Sequence, residues 1–221
     1  MAEWFVDYWN RMKFRAEFNA IRRIPKKKWY WSNELNEIEK IYFRELAATA
    51  SILDIGSGSN ALKDKFLRAG YRGIYHTLDL SREFQHEYYR LEDVQDRYNG
   101  IVLLEVIEHL ALNEFWKLLE FVETHLTSPG KVVLSTPHAR SIVPVGSWDM
   151  THVQQYPLHD LYTLFRSRGF TVRCYRILCQ DRNLGLLKRI RTLVKRVLCF
   201  FLGVDYVDGV ALIITRENTV P

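Results

Sequence analysis

A glycine-containing turn between a strand and a helix restricts the fold of this chain more than any other feature. An apolar run from Ile52 to Ile55 is followed by Gly56 and Gly58, and helix-forming residues resume at about Asn60. Glycine permits positive φ and lets a ligand approach where a Cβ would collide. The N-terminus of the helix adds free N–H groups and partial positive charge. The stretch therefore predicts a strand, a ligand-binding turn and a helix, in that order.

The remainder of the chain repeats this alternation of strands and helices. Apolar runs predict strands at 51–55, 74–79, 89–91, 101–105, 131–136, 170–178 and 208–215, and an apolar stripe predicts a helix at about 112–126. Strands joined by helical crossovers form parallel sheets with helices on both faces. We therefore expect a doubly wound, mostly parallel seven-stranded α/β sheet that binds its ligand beyond the carboxyl ends of the strands.

Two helical additions flank this pattern. Residues 1–50 predict a helical N-terminal cap, with Ser32 or Asn33 capping its second helix, and 51–221 predict the sheet domain. An amphipathic insert at 181–205 precedes the last strand. We expect its apolar stripe to pack against the N-terminal helices. The alternative is peripheral membrane contact through 186–202, where the sequence has five bases and no acid.

Composition excludes several classes of protein. Three cysteines, Cys174, Cys179 and Cys199, lack the spacing of a disulfide framework or zinc ribbon. No basic and then apolar leader and no bilayer-length apolar run is present, so we expect a cytoplasmic protein. The net charge of +5 is concentrated at 10–28 and 186–202. These segments are either solvated faces or surfaces for phosphates or anionic membranes.

The carboxylate before the turn decides between two cofactor classes. Gly56-x-Gly58-x-x-Ala61 formally fits the dinucleotide fingerprint of a dehydrogenase, with Asp79 available for the ribose hydroxyls. Asp54, however, would repel a pyrophosphate and attract an ammonium group. S-adenosylmethionine has an amino-acid end and a ribosyl end, so it suits Asp54 and Asp79 together.

Several elements in order resemble the class I S-adenosylmethionine-dependent methyltransferases. They are Asp54-x-Gly56-x-Gly58, Asp79 after the second strand, Glu92-Asp93-Val94 after the third, Glu105-Val-Ile-Glu-His109 after the fourth and Gly130-Lys-Val-Val-Leu-Ser-Thr-Pro137. The resemblance covers about 51 to 178 and implies a Rossmann-like methyltransferase fold. The chain is also similar to the ubiquinone-biosynthesis O-methyltransferase subgroup, through 105–109, 151–156 and 168–170.

This resemblance implies the cofactor, its ligands and the reaction. S-adenosylmethionine would be bound by Asp54, Gly56, Ser57 and Gly58 at its methionyl part, by Asp79 and Leu80 at its ribose, by Asp93 and Val94 at its adenine, and by Glu105. The chain departs from the family pattern at Asn60, where many members have a third glycine. The connection after Asp79 is also short for a helix. The implied reaction methylates oxygen of a small-molecule, lipid-linked or sugar acceptor.

Ionisable groups directly after the fourth strand predict further chemistry at the same edge. If 105–109 form one helical turn, Glu105, Glu108 and His109 share a face, and His152 follows the fifth strand. Such a set could hold Mg²⁺, Mn²⁺ or Zn²⁺. It resembles the metal site of methyltransferases that modify the 2′-hydroxyl at small-RNA 3′ ends. Alternatively, His109 and His152 act without metal, or the charged groups merely begin a helix.

Two other functions remain open at this point. One is metal-dependent 2′-O-methylation of RNA, which the basic segments favour although no RNA-binding domain is recognisable. The other is an S-adenosylmethionine-binding or scaffolding module without turnover. A small-molecule acceptor is the favoured partner, and the sequence leaves the oligomeric state open.

Overall fold

The computed structural model describes residues 8–21, 23–139, 149–179, 186–202 and 206–216. The helices in these ranges are α1 (Tyr8–Asn19), α2 (Glu37–Leu46), α3 (Ala61–Arg68), α4 (Leu112–His125), α5 (Leu158–Ser167) and α6 (Leu186–Leu202). The strands are β1 (Lys26–Trp29), β2 (Ser51–Ile55), β3 (Ile74–Leu78), β4 (Tyr98–Leu104), β5 (Leu126–Pro137), β6 (Thr171–Cys179) and β7 (Gly209–Arg216). Two short 3₁₀ turns, Leu91–Asp93 and Ile107–His109, complete the regular structure of these ranges.

The strands form one mixed sheet in the order β1-β6-β7-β5-β4-β2-β3. Strand β7 is antiparallel to β5 and to β6, and the other neighbouring pairs are parallel. The predicted doubly wound, mostly parallel seven-stranded sheet is therefore confirmed. Six strands end at the same edge of the sheet, which we call the carboxyl edge, and the antiparallel β7 begins there.

The seventh strand is not the predicted one. Instead of a strand at 89–91, the chain makes a single bridge between Tyr88 and Leu78 and then a 3₁₀ turn. No helix forms at 79–90, because Glu87 holds this short connection against β3. Its Oε2 accepts hydrogen bonds from the Thr77 N–H at 2.7 Å and from Thr77 Oγ1 at 2.8 Å, and its Oε1 pairs with Lys63 at 2.7 Å.

The strand that completes the sheet is β1, in the segment where Pro25 and three lysines interrupt the helical cap predicted for 1–50. No strand was predicted there, but Lys26 to Trp29 pair in parallel with β6 and so belong to the sheet. Pro25 precedes the strand and favours extended backbone over helix in the residue before it. Lysines at an edge strand also prevent unwanted pairing with other chains, so a basic run is compatible with this position.

Helix α2 begins later than predicted. Its N-cap is Asn36 rather than Ser32 or Asn33, and Asn36 forms a capping box with Glu39. The Glu39 N–H donates to Asn36 Oδ1 at 3.0 Å, and the Asn36 N–H donates to Glu39 Oε2 at 2.9 Å. Such a cap contributes about 1 kcal/mol, and it fixes where the buried side chains of α2 meet the sheet.

Alternate residues of the strands pack into two hydrophobic cores, one on each face of the sheet. One core combines Leu53 and Ile101 with apolar residues of α4 and α5. The other combines Ile52 and Val102 with α2 and α3. Because strand side chains alternate between faces, Asp54 shares the second face with Ile52. A carboxylate is thus placed in an otherwise apolar layer, directly before the glycine turn.

Helix α6 confirms the predicted helical insert but not its predicted packing. Seven of its apolar side chains are exposed, at Ile190, Leu193, Val194, Val197, Leu198, Phe201 and Leu202. The expectation that this stripe packs against the N-terminal helices is therefore wrong for these residues. Within the described ranges, no helix combines the length and apolarity needed to cross a lipid bilayer.

Candidate functional site

The glycine turn has the left-handed backbone that its sequence predicts. Gly56 and Gly58 have φ values of 74° and 51°, a region that most other residues avoid. The Gly56 N–H donates to the Leu78 carbonyl oxygen at 2.7 Å. A Cβ added to Gly56 would lie 2.5 Å from Val106 Cγ2, whereas one added to Gly58 meets nothing within 4 Å. Gly56 therefore permits close packing of the chain, and Gly58 leaves open space for a ligand.

Asn60 takes the place of a third glycine for a conformational reason. Its φ of 61° lies in the left-handed region, which asparagine adopts more readily than most residues. Its Nδ2 donates to the Gln85 carbonyl oxygen at 3.0 Å, so the side chain is directed away from the N–H groups that it could cap. Helix α3 begins without a side-chain cap, and its first N–H groups are available to a ligand.

Asp54 is a buried carboxylate beside the turn. Only 3% of the residue is exposed, and Tyr75 Oη donates a hydrogen bond to Asp54 Oδ2 at 2.9 Å. Burial raises the pKa of Asp54 to about 7, and the negative charge of Asp79 adds to this, while the Tyr75 hydrogen bond and Lys63 oppose it. Tyr75 was not among the predicted site residues, although its place on the strand adjacent to Asp54 was a usable signal.

The acid after β3 joins the glycine turn. Asp79 Oδ2 accepts a hydrogen bond from the Gly58 N–H, and Asp79 Oδ1 accepts one from the Ser81 N–H, both at 2.8 Å. Ser57 Oγ lies 3.2 Å from Nδ1 of the buried His86, a second residue that sequence reasoning missed. The turn is thus held by the short connection after β3, which is non-helical as its length predicts.

The other predicted cofactor residues are more dispersed. Leu80 is 79% exposed. Asp93 lies in a surface 3₁₀ turn and pairs with Arg90 at 3.0 Å. Val94 is buried in the core beneath β4 and α4. The structure therefore brings Asp54 and Asp79 to the turn, and leaves the roles of Leu80, Asp93 and Val94 as predictions.

Glu105 directly follows β4 in an unusual conformation. Its φ of 55° is left-handed, and such a conformation in a residue other than glycine often marks a functional site. Its N–H donates to the Ser135 carbonyl oxygen at 3.0 Å, and Ser135 Oγ donates to Glu105 Oε1 at 2.6 Å. The residue is exposed as a whole, while its carboxyl is held against Ser135 and lies next to that of Glu108. Burial and the neighbouring Glu108 carboxylate raise the pKa of Glu105 to about 7, although the Ser135 hydrogen bond acts to lower it.

Glu108 is the most deeply buried acid of this site. It is 1% exposed, and burial raises its pKa. Thr136 Oγ1 donates to Glu108 Oε2 at 3.0 Å, while Oε1 is buried without a hydrogen-bond partner among the described residues. Oε1 therefore needs either a proton shared with Glu105 or a positive ligand.

Two histidines join Glu108 at the carboxyl edge. The rings of His109 and His152 lie 4.7 Å apart, and one ligand atom from each of Glu108, His109 and His152 lies within 4.8 Å of the others. Thr151 Oγ1 contacts His109 Nδ1 at 2.9 Å, which leaves His109 Nε2 for a ligand. Glu105 is not one of these three residues, although its carboxyl interacts with that of Glu108. The 3₁₀ turn begins only at Ile107, so 105–109 do not form the single helical turn that we considered. The left-handed backbone of Glu105 takes it out of register with the 3₁₀ turn that follows.

A cavity of about 220 Å³ opens beside Glu105. Its lining comes from α2 and from the carboxyl edge, and consists of Trp29, Glu39, Tyr42, Leu104, Glu105, Ser135, Ile177, Cys179, Asp208 and Gly209. The Tyr42 hydroxyl is buried and has no hydrogen-bond partner in the described part of the chain. Sequence reasoning missed Tyr42 and Ser135, because only the fold brings α2 to the ends of β4 and β5. Of the weaker candidates, His138 is buried, and Trp148 lies outside the described residues.

Comparison with known proteins agrees with this geometry. The profile of the family described as "Methyltransferase domain" matches residues 29–175. A S-adenosylmethionine-dependent methyltransferase from Archaeoglobus fulgidus has 15% sequence identity and a TM-score of 0.62, over 80% of this chain and 90% of that one. Magnesium protoporphyrin IX methyltransferase from Synechocystis PCC 6803, solved with bound S-adenosylmethionine, has 14% identity and a TM-score of 0.53, over 81% and 78%.

A structure of the Pnkp1/Rnl/Hen1 RNA repair complex is also similar. It has 19% identity and a TM-score of 0.54, and the similarity covers 81% of this chain and 41% of that one. No curated protein sequence matches the chain significantly. Because the family profile covers most of the sheet and the fold agrees, the chain belongs to the methyltransferase-domain family and is a class I S-adenosylmethionine-dependent methyltransferase.

Proposed function

We propose that this enzyme transfers the methyl group of S-adenosylmethionine to an oxygen atom of a small organic acceptor. The observation that carries this proposal is a set of carboxylates and imidazoles at the carboxyl edge. Glu105 lines the cavity and interacts with Glu108, and His109 and His152 have ligand atoms within 4.8 Å of Glu108. A hydroxyl becomes a good nucleophile only when its proton is removed, and positioned bases or a metal ion do this. A neutral amine already has a nucleophilic lone pair and needs no such set.

The proposed cofactor position follows from the glycine turn. Open space above Gly58 and the uncapped first turn of α3 support binding of the methionyl part there. Asp54 would attract its ammonium group, and Asp79 would accept from the ribose hydroxyls. When bound, the cofactor supplies a methyl group on a sulfonium. The chain then has to orient the acceptor in line with that methyl group and exclude water.

The cavity is the proposed acceptor site. Trp29 and Ile177 provide apolar walls, and the Tyr42 hydroxyl is buried among them without a partner in the described chain. A buried hydroxyl of this kind costs free energy unless a ligand satisfies it. These features suit an acceptor with an apolar body and at least one hydroxyl group.

The structure also supports a divalent metal as part of the proposal. Glu108 Oε1 is a buried oxygen without a partner in the described chain, and the His109 and His152 nitrogens lie within 4.8 Å of the Glu108 carboxylate. Glu108, His109 and His152 would hold the ion. A mixed oxygen and nitrogen set favours Mn²⁺ or Zn²⁺ over Mg²⁺, and the ion would lower the pKa of an acceptor hydroxyl.

Metal binding is expected to depend on His152. We expect calorimetric titration to show a single Mn²⁺ site, and His152→Ala to weaken it at least about tenfold because one nitrogen ligand is lost. His125→Ala is the matched control, since His125 lies at the far end of α4 and contacts the Phe121 carbonyl oxygen. The proposed metal site would be contradicted by equal Mn²⁺ affinity in the wild type, His152→Ala and His125→Ala, or by methyl transfer that is insensitive to a chelator.

RNA is the second candidate acceptor. Two features favour RNA. The segment 105–109, together with His152, resembles the metal site of RNA 2′-O-methyltransferases, and Lys26 and Lys28 of β1 are exposed. The two acceptor classes differ in one measurement. The extract is labelled with methyl-labelled S-adenosylmethionine and then treated with ribonuclease. The treatment releases label from the macromolecular fraction when RNA is the acceptor, and it changes nothing when the acceptor is a small molecule.

The same labelled extract tests the proposed reaction. We expect an organic-soluble product whose methyl group is bonded to oxygen, identified by mass spectrometry and by the chemical shift of the methyl carbon. Label on nitrogen or carbon would overturn O-methylation. S-adenosylmethionine that binds in calorimetry without label transfer to any fraction would support a binding module instead.

A further inference from the structure

Among the described elements, α6 has the most exposed large apolar side chains. Ile190, Leu193, Val194 and Val197 recur at three- and four-residue spacing, and their exposure runs from 48% at Val197 to 62% at Leu193. A helix on a folded domain normally turns such a stripe towards the core. Here the stripe faces outward, so the fold itself does not account for it.

Among the α6 side chains whose exposure is described, the buried one lies on the opposite side of the helix. Cys199 is 2% exposed and lies two residues after Val197, which places it about 200° around the helix from Val197. The apolar stripe is therefore directed away from the domain. Contiguous exposed apolar surface of this kind marks an interaction site.

Other exposed apolar side chains lie at the same edge of the sheet. Trp31 follows the end of β1 and is 87% exposed, and Met150 and Val153 follow β5 and are 97% and 60% exposed. Helix α6 itself connects the end of β6 to the start of β7. The carboxyl edge, where the proposed acceptor cavity opens, therefore carries most of the exposed apolar side chains that could meet a partner.

Charge identifies the chemistry of that partner. Residues 186–202 have five bases and no acid, and Lys26 and Lys28 are exposed on the strand adjacent to β6. An outward apolar stripe on a basic helix is typical of helices that lie in the interface of an anionic membrane, where tryptophan is also favoured. A second copy of this chain fits less well, because pairing two such helices would bring like charges together.

We propose that α6, together with Trp31, docks the enzyme on anionic lipid membranes, with the axis of α6 parallel to the membrane surface. This orientation directs the carboxyl edge towards the lipid. One consequence rests on the proposed function: the acceptor enters the cavity from the membrane. Docking itself requires no turnover, so vesicle binding fails or succeeds independently of methyl transfer.

Vesicle co-sedimentation tests the proposal. One set of vesicles is an equal mixture of phosphatidylcholine and phosphatidylglycerol, and the other is phosphatidylcholine alone. We expect the wild-type protein to bind the mixed vesicles at least about tenfold more tightly, because each base near an anionic surface strengthens binding. Added salt should weaken this binding. Tryptophan fluorescence should shift to shorter wavelength on binding, and because the chain has six tryptophans, a smaller shift in Trp31→Phe identifies the contribution of Trp31.

The variant Leu193→Glu/Val197→Glu should lose at least about tenfold in vesicle affinity, because it places two charges in the apolar stripe. Ile74→Glu/Leu67→Glu is the matched control. It adds the same charge at exposed apolar positions towards the opposite edge of the sheet. Equal loss in both variants, or absence of wild-type binding to either vesicle, would overturn the proposal. So would a wild-type dimer that Leu193→Glu/Val197→Glu converts to a monomer without any vesicle binding, since a second copy would then cover α6.

Discussion

Gly56→Ala is expected to abolish most binding of S-adenosylmethionine. Alanine at a φ of 74° costs about 1–2 kcal/mol, and its Cβ would also lie 2.5 Å from Val106 Cγ2. Val106 directly follows Glu105, so relief of this clash displaces both the glycine turn and the start of the 105–109 segment. We expect calorimetry to show at least about a hundredfold loss of affinity, which corresponds to about 2.7 kcal/mol.

Two further variants separate the clash from the backbone strain. Gly169→Ala imposes a similar strain at a φ of 83° without any contact within 4 Å of the new Cβ, in the turn between α5 and β6. It should lower stability and leave cofactor affinity unchanged. Val106→Ala in the Gly56→Ala background removes the clashing methyl group and should restore part of the affinity. An equal loss of affinity in Gly169→Ala, or no restoration by Val106→Ala, would show that the close packing of Gly56 is not what the cofactor site requires.

The parts of the fold that sequence reasoning predicted are those with local causes. The turn from β2 into α3 is encoded by two glycines and an apolar run that adjoin one another, and α4 by an apolar stripe within one helix. Strand β1 has no such local signal, because three lysines replace the usual apolar alternation. Its strand conformation comes from pairing with β6, where Lys26 lies opposite Arg176. The chain separation of these partners explains why the prediction failed there.

The candidate site also contains residues that local sequence predicts and residues that only the fold brings together. Asp54, Asp79, Glu108 and His109 were predictable, since each follows or ends a recognisable strand. The cavity was not, because Tyr42 on α2 and Cys179 on β6 meet only in the folded protein. The left-handed Glu105 was also unpredictable, since glutamate seldom adopts positive φ. Local sequence therefore predicted the cofactor side of the site better than the acceptor side.

Asp54→Asn is expected to stabilise the protein at alkaline pH. The pKa of Asp54 is raised from an ordinary value of 3.8 to about 7, mainly by burial. Between these two values the folded state binds more protons than the unfolded state, so this residue lowers stability as pH rises and its effect levels off above pH 7. The full difference amounts to roughly 4 kcal/mol. Asparagine is neutral at every pH and still offers an oxygen to Tyr75 Oη.

Denaturant unfolding at several pH values measures this contribution. The stability of Asp54→Asn relative to the wild type should be near zero at pH 4, rise by up to about 1.4 kcal/mol per pH unit and reach a plateau above pH 7. Asp64→Asn on α3 is the control for removal of a carboxylate at an exposed position, and the effect of Asp54→Asn is read as the difference between the two variants. A stability difference that does not change with pH would show that Asp54 is already ionised in the folded protein under acidic conditions.

The same substitution should weaken cofactor binding while it stabilises the fold. A buried carboxylate in an apolar layer is unfavourable unless a cation meets it, and the ammonium group of S-adenosylmethionine is the cation that the proposed function supplies. Wild-type affinity should therefore rise with pH up to about 8 as Asp54 ionises, whereas the affinity of Asp54→Asn should be lower and nearly independent of pH. Parallel pH dependence in the two proteins would assign the burial of Asp54 to the fold and would remove it from the cofactor site.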